Sequence, residues 1–89
     1  MKHGDDVKMA EARRLVWRCR RGLLELDLVL QRFVALELIN LSRQELSALD
    51  ALLALPDNDF WDLLVIDQAI ITDAYTKDII LKIKSMHQA

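Results

Sequence analysis

The chain has 89 residues, 53% hydrophobic and 29% charged, a balance that excludes a disordered segment and predicts one small folded domain. Two glycines and one proline leave too little turn material for a β protein, and no apolar run reaches the roughly 18 residues of a membrane span. The net charge of −2 is unevenly spread: residues 1–22 carry seven basic and three acidic side chains, and residues 23–89 carry five and eleven. Such asymmetry gives a basic side and an acidic side that can steer a charged partner.

The fold predicted from these proportions is all-α, a single-domain bundle of about five short helices spanning 1–89, with 1–8 as a loose lead. The first helix is expected over residues 5–20, where Val7, Ala10, Leu15, Trp17 and Cys19 are the apolar share and Arg13, Arg14, Arg18 and Arg20 crowd the rest. Cys19, alone in the sequence, excludes an internal disulfide, fits a reducing compartment and is expected as small core filling. Trp17 is expected in the core or at an interface.

Between the first two helices lies Arg20-Arg21-Gly22-Leu23-Leu24-Glu25-Leu26-Asp27. Gly22 can adopt the left-handed conformation that ends a helix. The arginines before it suit a helix C-terminus, and Glu25 and Asp27 suit the next helix N-terminus. An internal Arg21–Glu25 pair is the plain alternative to a role outside the chain, but that order of charges is the weaker one on a helix.

The second helix is expected from Leu24 to Leu38. Leu26, Val29, Leu30, Phe33, Val34 and Leu36 to Leu38 give a face too broad to leave in water, which makes this the central packing helix. Ser42-Arg43-Gln44-Glu45 spells a capping box for a third helix, from Arg43 to about Leu55. Pro56 stops it, and Asp57 or Asp59 can cap a fourth, from about Asn58 to Ile66. Thr72 or Asp73 starts a fifth with Tyr75, Ile79, Ile80, Ile83 and Met86 at helical spacing. The β-branched stretch Leu63 to Thr72 is where a strand could replace helix.

Little here carries chemistry. There is no Ser-His-Asp set, phosphate loop, dinucleotide glycine pattern or metal-spaced Cys/His cluster, so catalytic residues and metal ligands are none. His3 and His87 lie near the termini, and Glu25 and Asp27 point to different helix faces. The basic run Arg13 to Arg21, with Trp17 inside it, offers a nucleic-acid-binding or antitoxin-like regulatory module as the alternative function. The acidic balance of the whole chain weighs against it. An interaction module, not an enzyme, is the expectation.

The stretch Trp17 to Asp27, followed by Phe33, resembles the small flavinylation factors of succinate dehydrogenase, the SdhE family. Their hallmark Arg-Gly-x-x-Glu is met by Arg21, Gly22 and Glu25, and Leu52 to Trp61 looks like the family's later Leu-Leu…Asp-x-Asp-aromatic stretch. The pattern departs at Leu63, where the family usually has tryptophan. The resemblance implies an assembly factor of the bacterial cytoplasm, monomeric when free and not inserted in a membrane. It implies binding to the flavoprotein subunit of succinate dehydrogenase, or of fumarate reductase, and promotion of autocatalytic FAD attachment by positioning. FAD would belong to that partner and not be held stably by this chain. The residues implied at the partner surface are Trp17, Arg20, Arg21, Gly22, Glu25 and Asp27, with Asp57, Asp59, Phe60 and Trp61 as a second patch. Arg21 would offer a planar fork to the partner, Gly22 a close backbone approach and Glu25 an orienting carboxylate.

Overall fold

The computed structural model describes residues 3–65 and 73–88, and among them every regular element is helical. Helix α1 runs His3–Arg18, α2 Leu24–Glu37, α3 Arg43–Leu53, α4 Asp57–Val65 and α5 Ala74–Gln88, with a 3₁₀ turn at Leu38–Asn40. The segment expected as a loose lead is thus helical from His3. The end of the expected strand-prone stretch, with Ile66 and Thr72, lies outside the described residues, whereas Leu63 to Val65 are helical.

Local signals set the helix starts. The Ser42 hydroxyl accepts from the Glu45 amide at 3.1 Å and the Glu45 carboxylate accepts from the Ser42 amide at 2.9 Å, a complete capping box. Asp73 accepts from the Thr76 amide at 2.8 Å and from its hydroxyl at 2.6 Å, opening α5.

The core gathers residues from all five helices, among them Leu15, Leu30, Phe33, Leu49, Phe60, Ile80 and Ile83. Removing each phenylalanine from water contributes about 1.5–3 kcal/mol. Helix α5 packs against α2, α3 and α4, while α1 lies on α3. The central position therefore belongs to α5 and not, as expected, to α2. The reason lies in α2 itself: Leu26, Val29, Leu30 and Phe33 are buried, but Leu24, Leu28 and Leu36 face outward. Lys82 of α5 donates to Glu45 at 2.7 Å and pairs with Asp78 at 3.2 Å, which ties α5 to the start of α3. No described helix is long and apolar enough to cross a membrane.

Candidate functional site: a corner where four helix ends meet

Residues 19–23 turn the chain from α1 into α2. Helix α1 tightens as it ends: the Cys19 amide reaches both Leu15 O and Val16 O, and the Arg20 amide reaches Trp17 O at 3.2 Å. The orphan carbonyl of Cys19 accepts from Gln31 at 3.2 Å. The Cys19 side chain is fully buried, and burial pushes its thiol up to about 11 against the pull of Arg21 and Arg18. It is core filling and not a nucleophile at neutral pH.

Arg21 turns inward from this loop, with only 12% of its side chain exposed. Its guanidinium donates to Arg18 O at 3.2 Å, to Leu53 O at 2.9 Å and to Leu55 O at 2.5 Å, and it meets Asp57 Oδ1 at 2.6 Å. These carbonyls are left over where α1 and α3 end, and a cation is favoured there by both helix dipoles. Asp57 answers at the other pole. It stands at the start of α4, and its Oδ2 accepts from the Leu23 amide at 2.9 Å, where α2 begins without a side-chain cap of its own. That amide, then Arg21, hold the Asp57 carboxyl below the usual carboxylate range.

Asp27 braces the loop from the other side. It accepts from the Arg21 amide at 2.8 Å and from Arg20 Nε at 3.3 Å, and the backbone amide first and Arg20 after it lower its pKa. The corner is thus held by two carboxylates and one guanidinium, each bonded to backbone.

Several expectations change here. Arg21 does not offer its fork outward, because this chain's own carbonyls and Asp57 fill it. An Arg21–Glu25 pair is not formed. Gly22 does not have a positive φ, so the turn does not need glycine for a left-handed conformation. A Cβ built on Gly22 would meet Asp57 Oδ2 at 3.5 Å, an ordinary contact. Phe60 is fully buried and cannot lie on a partner surface; its ring faces the core while its neighbours Asp59 and Asp62 face out. Asp57 does not spend its carboxylate on α4, having given it to Leu23 and Arg21. Trp17, by contrast, is 80% exposed and so is not core.

What the corner presents outward is Trp17, Arg20, Gly22, Leu24 and Glu25. Among the described residues Glu25 has no hydrogen-bond or ion-pair partner. Of the second patch, Asp59 is exposed and Trp61 half-buried against the core. Asp50 went unnoticed in the sequence. It sits in α3, accepts from Arg14 at 3.3 Å and pairs with Arg18. Arg14 also meets Glu11 at 2.8 Å. With Arg20 on Asp27 and Arg21 on Asp57, four of the five arginines of the basic run are matched within the chain, which removes much of the charge that a phosphate backbone would need.

A cleft of about 510 Å³ between α1 and α3 is lined by Lys8, Ala10, Glu11, Arg14, Arg43, Leu46 and Ser47, with no aromatic side chain among them. Among the described residues no cluster of three or more His, Cys, Asp or Glu could hold a metal ion.

The chain is a small all-helical domain that displays a braced corner. More narrowly, residues 13–87 match the family described as "Flavinator of succinate dehydrogenase", and the chain belongs to that family. It is similar to the FAD assembly factor SdhE of Legionella pneumophila (strain Lens), 51% identical over 51 residues, or 57% of this chain and 65% of that one. The FAD assembly factor SdhE of Ralstonia nicotianae is 50% identical over 52 residues, 58% of this chain and 55% of that one. The mitochondrial succinate dehydrogenase assembly factor 2 of Yarrowia lipolytica is 40% identical over 62 residues, 70% of this chain and 41% of that one. The chain thus spans between about half and two thirds of the bacterial relatives it matches. No solved structure gives a significant match.

Proposed function

We propose that this chain is an assembly factor that binds the flavoprotein subunit of succinate dehydrogenase and promotes covalent attachment of FAD to it. The observation that carries the reading is the exposed, unpartnered carboxylate of Glu25 on a backbone clamped by Arg21, Asp27 and Asp57. Of the three hallmark residues, Arg21 builds the corner, Gly22 keeps its surface bare, and Glu25 alone offers a free functional group. A carboxylate held this way can orient a donor on the flavoprotein, and a side-chain-free Gly22 lets the partner's backbone approach. The chain works by positioning and has no active site of its own. FAD is the flavoprotein's cofactor in this reading, and this chain does not hold it stably. The fumarate reductase flavoprotein belongs to the same reading as a second client. So do action in the bacterial cytoplasm and a monomeric free state.

The test is covalent flavin on the succinate dehydrogenase flavoprotein subunit, co-expressed with this chain, with Glu25→Ala, or with neither. In-gel fluorescence of the denatured subunit is expected to rise with the wild type and to stay at the background level with the variant. Equal fluorescence in all three would overturn the reading.

A further inference from the structure

The outer face of α2 carries a row of exposed leucines, interrupted by Glu25 and Arg32, that no other described element covers. Leu24 is 62% exposed, Leu28 56%, Leu36 61% and, in the turn that follows, Ile39 67%. Such a row on a single helix is more than the scattered exposure normal for a folded surface. The row is also shaped. Glu25, Leu28, Val29 and Arg32 line a shallow cleft of about 230 Å³, apolar at its floor and bordered by opposite charges. Arg32 is steadied by donating to Met86 O at 3.2 Å.

Glu25 lies inside this row, one residue from Leu24 and one helical turn from Leu28. A stable complex covers about 800 Å² of each partner, roughly a disc of radius about 16 Å. On this chain, with 5606 Å² accessible, that is about one seventh of the surface. At about 1.5 Å per residue, such a disc centred on Glu25 takes in Leu28, reaches its rim near Leu36 and stops short of Ile39. A patch of that size centred on Glu25 therefore covers Leu24 and Leu28.

We propose that the α2 outer face, with Leu24 and Leu28 as anchors and Leu36 at its rim, is the apolar seat of the flavoprotein subunit. This rests on the assembly-factor reading and assigns its binding energy: Glu25 orients, and the leucines hold. Hot-spot energy in such interfaces concentrates in a few central, fully desolvated side chains surrounded by near-neutral contacts, and Leu24 and Leu28 take that central place beside Glu25.

The experiment measures binding of the full chain to the purified succinate dehydrogenase flavoprotein subunit, together with covalent flavin, for four variants. Leu28→Gln is expected to weaken binding about 10-fold or more. Leu36→Gln should weaken it less, and Leu81→Gln on α5 should stay within about 2-fold. Glutamine keeps helix propensity and adds no charge, and circular dichroism confirms that each variant is folded. Glu25→Ala is expected to lose flavin attachment with a smaller loss of affinity. If Leu28→Gln and Leu36→Gln bind like wild type while Glu25→Ala loses attachment, the seat is wrong and the assembly reading stands. If the wild type neither binds nor raises covalent flavin, the assembly reading itself fails. If Leu28→Gln only converts a dimer to a monomer, with flavoprotein binding unchanged, the face pairs copies of this chain and the proposal is overturned.

Discussion

Arg21 and Asp57 are 36 positions apart in the sequence and 2.6 Å apart in the fold, and between them they serve the ends of four helices. The guanidinium collects carbonyls left over by α1 and α3, and the carboxylate, from the first residue of α4, receives the amide where α2 begins. The cation sits at two C-terminal poles and the anion at two N-terminal poles, so each is placed where the helix dipoles favour it. One ion pair thus sets the relative placement of α1, α2, α3 and α4 at the corner that displays Glu25.

Arg21 should therefore matter for folding before it matters for binding. Arg21→Ala leaves three carbonyls without their donor and Asp57 without its counter-charge, and about 2–4 kcal/mol of stability should be lost. For a domain of this size, that is a large part of the total. Arg21→Lys should recover only a part, because an ammonium cannot reach several carbonyls with one planar fork. Urea unfolding of both variants checks this. A wild-type midpoint in Arg21→Ala would mean that the junction contributes nothing.

Gly22 gives the opposite expectation. Its φ is not positive and a Cβ would make only ordinary contact, so Gly22→Ala should fold and shift stability by less than about 1 kcal/mol. Gly22→Arg, whose side chain has open solvent to enter, should also fold but fail to support covalent flavin on the flavoprotein subunit. Loss of folding in Gly22→Ala, seen by circular dichroism, would assign the glycine to this chain's own turn.

Acid should weaken the tie between α3 and α5. Hydrogen bonds involving Asp78, then Lys82 and the Ser42 amide, lower the Glu45 pKa from 4.5 to about 2. A carboxyl depressed on folding adds stability that is fully present above its unfolded pKa and is lost as pH falls through the folded one. Stability should accordingly fall between about pH 4.5 and 2. Glu45→Gln should cost stability at pH 7 and show a shallower decline toward pH 3 in urea titrations. Asp27 and Asp57, also depressed, keep the decline from vanishing. Parallel declines in wild type and variant would remove Glu45 from the account.

Much of the architecture is legible in short windows of sequence. The capping box at Ser42 and Glu45, the cap at Asp73, the stop at Pro56 and the 3.6-residue periodicities each depend on groups within four residues of one another. They specify five helices without reference to anything distant. The Arg-Gly-x-x-Glu hallmark is equally local, and within the stretch Trp17 to Asp27 that surrounds it, it points to the family.

Tertiary structure alone decided what those residues do. Arg21 could have faced a partner, and its inward turn depends on carbonyls of Leu53 and Leu55 more than thirty positions away. Asp57 reads as a cap for its own helix until Leu23 comes within reach. Phe60 and Trp61 are indistinguishable as adjacent aromatics until α4 settles with Phe60 inward. The apolar breadth of α2 is visible in sequence, yet which part stays in water is set by α5, whose isoleucines cover one side and leave Leu28 and Leu36 outside. Periodicity and capping are properties of a few neighbouring residues, so sequence determines them. Burial and long-range bonding belong to pairs that only the folded chain brings together.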